Sequence, residues 1–177
     1  MERNNRRITF LGIAIVWVIG AAAGCDGNDN SSAEAILGTG TTSFTSLVAE
    51  QELDLLAGTQ GGHHFIAHAR MRGIDPGDPS MPGLLTNPAT QFFVFTESGD
   101  RIDARFPPYR IGYRNADDGS LELPSGRILA LDEAQVSGVL NQRVKIRVEI
   151  SQDDGPMASD EVFVVVHEVP LPTADPI

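Results

Sequence analysis

The chain has 177 residues, 13 basic and 24 acidic side chains, and a net charge of −11. That balance repels nucleic-acid phosphates and anionic head groups, which excludes a nucleic-acid partner and simple electrostatic adsorption to a membrane. Cys25 is the single cysteine, so no disulfide within the chain braces the fold and its stability has to come from an apolar core.

Arg3, Arg6 and Arg7 precede an apolar run from Ile8 to Ala23, and Ala22-Ala23-Gly24 leads directly into Cys25. A basic start, a short apolar stretch and small residues before a cut site make residues 1–24 a secretory signal peptide. The run is 16 residues long, short of the roughly 18 to 20 that a bilayer-crossing helix needs. Trp17 lies in its middle rather than at an edge, where an interfacial anchor would sit. Without these residues the chain keeps ten basic and 23 acidic side chains, a net charge near −13. Residues 26–34 are polar, and with Cys25 they form a flexible tether, residues 25–34, with a coil span of roughly 15 to 18 Å.

Ala22-Ala23-Gly24-Cys25 resembles the lipobox of bacterial lipoproteins, with Ala22 where that family usually has leucine. The resemblance implies cleavage before Cys25, a diacylglycerol thioether on its sulfur and acylation of the new amino terminus. Two or more acyl chains anchor a protein stably where one does not. The implied location is the cell envelope, on the outer membrane at its periplasmic face or on the cell surface in a Gram-negative cell.

From Ala35 onward the pattern is β. In residues 63–72, Phe65, Ala67, Ala69 and Met71 alternate with His64, His68, Arg70 and Arg72, the period of a half-buried strand. Residues 73–90, with Gly73, Pro76, Gly77, Pro79, Pro82, Gly83 and Pro88, read as a long loop of the kind that often carries function. Gln91–Glu97 holds Phe92, Phe93, Val94 and Phe95 in succession, which predicts a strand covered on both faces. Ser98-Gly99-Asp100 turns the chain, and the alternation of Ile102, Ala104 and Phe106 predicts a hairpin partner. Short strands follow around Leu121 and from Arg127 to Leu131, and Asp132 caps a single helical turn. Val144, Ile146, Val148 and Ile150, an Asp153-Asp154-Gly155 turn and Val162–Val166 form a second hairpin. Pro170, Pro172 and Pro176 deny residues 170–177 a place in a ladder.

Short strands about ten residues apart, separated by Gly and Asp turns, predict an all-β domain over residues 35–169, a single antiparallel sandwich. The hairpin from Gln142 to Glu168 resembles the last hairpin of immunoglobulin-like domains on bacterial surfaces. That resemblance implies an immunoglobulin-like sandwich without the buried Trp and paired Cys of antibody domains.

Candidate sites are few. Imidazole suits Zn, Cu or Ni, and His63, His64 and His68 lie close in sequence, with His167 near the end. On a strand His64 and His68 share a face about 13 Å apart, and His63 points the other way. Partly exposed strand histidines are therefore expected. The alternative is an envelope metal-binding protein in which His64 or His68 joins a ligand from elsewhere, such as His167. Asp117-Asp118-Gly119 and Asp153-Asp154-Gly155 lack calcium-loop spacing and read as turns. Gly38-Thr39-Gly40 lacks the lysine and helix of a phosphate loop, and no Gly-x-Ser-x-Gly elbow occurs. Arg143, Lys145 and Arg147 form a basic stripe that suits an acidic envelope protein or an anionic polysaccharide. Tyr109 and Tyr113 offer rings for stacking a sugar or for packing at a sheet edge. The sequence thus predicts a non-catalytic binding or scaffolding module, held to a membrane through Cys25 and needing no cofactor. A hydrolase with an unmarked site is the remaining rival.

Overall fold

The computed structural model describes residues 32–58 and 62–169. Cys25, the signal peptide, most of the tether and the proline-containing tail lie outside the described residues. Eleven strands and one short helix follow in the order β1 (Glu34–Thr39), β2 (Thr45–Ser46), β3 (Glu52–Ala57), β4 (His63–Arg72), β5 (Ala89–Thr96), β6 (Tyr109–Arg110), β7 (Arg114–Asn115), β8 (Leu121–Glu122), β9 (Arg127–Ala130), α1 (Glu133–Val139), β10 (Arg143–Ser151) and β11 (Met157–Val169). The all-β class holds. Among the described residues no helix is long and apolar enough to cross a membrane.

Strand β4 organises the domain. Phe65, Ala67, Ala69 and Met71 are all buried, as their alternation demands. The first half of β4 pairs with β3 (Leu56 opposite His64) and with β9 (Phe65 opposite Leu129). Its second half pairs with β1 (Leu37 opposite Ala69) and with β8 (Arg70 opposite Glu122). The carbonyls of His63 and Ala69 accept from Leu131 and Leu123. Alternate residues of a strand address the same neighbour, so β9 and β8 share one edge of β4 and β3 and β1 share the other.

The strands join in one sheet, its main path β2-β1-β4-β3-β11-β10-β5-β6 with β7, β8 and β9 beside it, which curls so that β1 packs over β10 and β11. The core lies inside the curl, with Leu37, Leu55, Phe65, Val94, Leu123, Val144, Ile146, Val148, Ile150 and Val164 nearly or completely buried. The antiparallel expectation fails at one pair, because β3 and β11 run parallel (Leu53 opposite Val166). Alternation assigns faces, not strand direction. The immunoglobulin-like arrangement does not follow from this topology.

Other local expectations divide. The β10–β11 hairpin pairs from Arg143–Val165 to Ser151–Met157. Asp132 caps α1 by accepting from the Ala134 amide at 3.1 Å, and Val136 and Val139 are buried. The partner expected for β5 over residues 102–106 reduces to a bridge between Phe95 and Arg101. Asp103 takes over the edge of β5: its carboxylate accepts the Val94 amide at 2.9 Å and binds Arg101 at 2.7 Å. Nor does a second layer cover β5. Phe92 and Val94 face the core, whereas Phe93 and Phe95 stack on each other at 6.0 Å, half-buried, beneath Arg101 and Lys145.

The curl closes at Asp160, on the core-facing side of β11. Its carboxylate accepts the Leu37 amide of β1 at 2.8 Å. Hydrogen bonds to a charged acceptor contribute about 1.5 to 3 kcal/mol. Asp160→Ala is expected to lower unfolding stability in urea by about that amount, and Asp160→Asn by less. An Asp160→Ala loss below about 0.5 kcal/mol would remove this closure from the account.

Candidate functional site

An apolar-floored opening lies where β4 changes neighbours. On their shared edge, β3 reaches His64 and β1 begins at His68. Between them the Thr39 hydroxyl donates to the Ile66 carbonyl at 2.7 Å. The result is a groove of about 380 Å³ beside β3. Leu53, Leu56 and Ile66 supply its apolar surface, with Thr39, Gly40 and Thr41 on one wall and Gln51, Glu52 and Asp54 on the other. Gly40 holds φ at +112°, a left-handed conformation that glycine adopts without steric cost, and this lets the chain turn away at the groove's end.

The backbone of β3 is part of that wall. The Val165 amide donates to the Gln51 carbonyl. In a parallel ladder Gln51, Leu53 and Leu55 then address β11, while Glu52 and Asp54 turn their amides and carbonyls to the opposite edge. That edge pairs with β4 only at Leu56 and Ala57. Glu52 and Asp54 are exposed, so the groove carries carboxylates beside a strand edge that is unpaired among the described residues. No sequence motif marked this site. The Glu-Leu-Asp-Leu alternation of residues 52–55 was visible, but which edge of that strand stays free is a tertiary matter.

The histidines are not gathered. His68 corrects the expectation of a partly exposed ring, because it is fully buried on the polar face of β4. Phe44 packs edge-on against it at 5.6 Å, and Arg70 lies over the Phe44 ring at 4.5 Å. His68 Nδ1 accepts the Ala69 amide at 3.0 Å, which puts the proton on Nε2. Among the described residues Nε2 has no hydrogen-bond partner, and the Glu122 carboxylate stands 3.9 Å away. His64 is half-buried between Leu56 and Ala130. His63 lies 3.2 Å from Glu133, and His167, exposed, lies 3.5 Å from Asp54. Among the described residues no three His, Cys, Asp or Glu side chains are arranged to hold a metal ion.

The basic stripe is engaged within the domain. Arg143 pairs with Glu50 and Glu97 and covers the Phe163 ring, Lys145 pairs with Glu161 and covers Phe95, and Arg147 pairs with Glu149. The loop after β4 is pinned by buried Asn87, whose side chain accepts the Asp78 amide at 2.7 Å and donates to the Met81 carbonyl at 2.9 Å. Tyr113 is buried against Thr90 at 2.8 Å, and burial raises its hydroxyl well above the usual tyrosine value. Tyr109 is half-buried and donates to the Ile128 carbonyl. In the two Asp-Gly turns, Asp118 caps Ser120 and Asp153 binds Arg110. A second, more polar cleft of about 320 Å³ is lined by Thr42, Arg114, Asp117 and the Arg70–Glu122 pair.

Comparison with known proteins finds no matching family model, no similar curated protein and no similar solved structure. The groove therefore stands on its own geometry.

Two predictions follow from the buried groups. Burial holds His68 below its ordinary value of 6.5, against a smaller opposing pull from Glu122. The unfolded chain then takes up the proton first, so stability is full above pH 6.5 and falls as pH drops below it. Between about pH 7 and pH 5, wild-type Tm should fall more steeply than that of His68→Gln, and parallel curves would contradict this. Asn87→Ala removes the buried partner of the half-buried Asp78 amide and the Met81 carbonyl, and each lost hydrogen bond costs about 0.5 to 1.5 kcal/mol. Urea unfolding of that variant should show a loss within or above that range, and an unchanged midpoint would contradict it.

Proposed function

We propose that this chain is a lipid-anchored lipoprotein of the bacterial cell envelope, and that its β domain is a non-catalytic binding or scaffolding module. The single observation that carries the address is the order of the first 25 residues: three arginines, a 16-residue apolar run, then Ala-Ala-Gly before the only cysteine. The described domain supports the division of labour. Its first strand begins at Glu34, directly after the polar stretch from Asp26 to Ala33. Anchoring at Cys25, at most tens of ångströms along the chain from Glu34, would raise the module's effective concentration toward partners at the membrane.

The binding role is supported by the groove beside β3, where exposed carboxylates, threonines and an apolar floor line one opening. Openings of a few hundred Å³ with a few convergent polar groups are the usual form of recognition sites. Envelope protein or polysaccharide is the partner class that the address brings within reach.

Exchanging residues 1–25 for a secretory signal that leaves no cysteine at its cut site should release the domain to the soluble fraction. Mass spectrometry of the native chain should find Cys25 at the amino terminus with its acyl mass. Retention of the exchanged chain on membranes, or a bare thiol on an uncut precursor, contradicts the proposal.

A further inference from the structure

We propose that the bare edge of β3 accepts an extended segment of a partner protein as an added strand, and that this segment alternates basic and apolar residues. The inference rests on the binding-module reading and gives its partner a chemistry.

Three observations carry it. The first is the backbone. Glu52 and Asp54 turn their amide and carbonyl groups away from β11, and among the described residues the edge they face has no strand partner before Leu56. Main-chain hydrogen bonds to such an edge give affinity, and alternate side chains give specificity. The second is the fit. At about 3.3 Å per residue the bare stretch spans some three or four residues, and the groove alongside it holds about 380 Å³ with Leu53, Leu56 and Ile66 in its lining. An incoming strand alternates its side chains, so one set points inward beside Leu53 while the other lies on the outer face beside Glu52, Asp54, Leu56 and Ile66.

The third observation is charge. The outer face of β3 here presents Glu52 and Asp54, both exposed. Directly opposed residues on neighbouring strands sit about 4.5 to 5.5 Å apart at Cβ, where opposite charges attract and like charges repel. Lysine or arginine on the incoming strand is therefore favoured. A second copy of this chain pairing edge to edge would set carboxylate against carboxylate. Charged side chains blunt an exposed edge against pairing with its own kind, and the charges here, Glu52 and Asp54, oppose an acidic strand while leaving a basic one acceptable. The surplus of acidic residues over the whole chain steers a basic segment toward the surface.

The test uses the full chain, 15N-labelled in detergent micelles. It is titrated with a decapeptide of alternating Lys and Val, the same peptide N-methylated at every residue, and a decapeptide of alternating Glu and Val. The Lys–Val peptide is expected to shift the amide resonances of Glu52 and Asp54 and to slow their hydrogen exchange at least tenfold. The N-methylated and Glu–Val peptides should do neither. Glu52→Lys with Asp54→Lys should weaken Lys–Val binding at least tenfold while leaving core resonances in place, which shows that the variant is folded. The proposal is overturned by any of four results: no response at millimolar Lys–Val peptide, shifts that spare Glu52 and Asp54, equal binding of the N-methylated peptide, or slow exchange of these two amides before any peptide is added. The last result would mean that the edge is already covered, by a second copy or by the chain itself. If the peptide fails while the anchored domain still captures an envelope polysaccharide, the module survives and the strand edge does not.

Discussion

One strand belongs to two ladders. The first half of β4 lies between β3 and β9 and its second half between β1 and β8, with Phe65, Ala67, Ala69 and Met71 buried along its whole length. A one-residue slip would turn all four outward and the polar set inward, so the register is strongly specified. The change of neighbours also has a geometric cost. β3 and β1 do not meet along the edge they share, and the Thr39 hydroxyl, rather than a strand amide, takes the carbonyl of Ile66. The groove beside β3 follows directly from sharing β4.

The same division explains how far the sequence could be read. Period-two alternation locates β4 and β10 and assigns their faces, because each has one face in the core, whereas β11, read only as the valine-rich run Val162–Val166, extends over Met157–Val169. The turn Asp153-Asp154-Gly155 and the cap Asp132 are local chemistry, and both form. Strand direction leaves no such trace, so the parallel β3/β11 pair was illegible. His68 was assigned to the correct face but the wrong environment, because Phe44, 24 positions earlier in the chain, roofs that face over Gly38. Phe93 and Phe95 read as core because they are aromatic; they are sheltered instead by the cations of Arg101 and Lys145. The groove was invisible because its defining property is a missing neighbour.

Charge is distributed with a consequence for binding. The stripe of Arg143, Lys145 and Arg147 is matched by Glu50, Glu97, Glu161 and Glu149, and Arg70 by Glu122 and Asp118. Exposed ion pairs of this kind contribute little to stability, yet they lower the field that the basic side chains would present to an acidic partner. Because acidic residues outnumber basic ones nearly two to one, the outward field is negative.

If β4 binds the two ladders into one cooperative unit, their amides must open together. Native-state hydrogen exchange across a denaturant series measures this directly. Amides of β1 and β8, and those of β10 and β11, should converge on a single opening free energy equal to that of global unfolding. A lower-energy opening confined to β1, β2, β7 and β8, with β10 and β11 still protected, would show that the shared strand does not unite the domain.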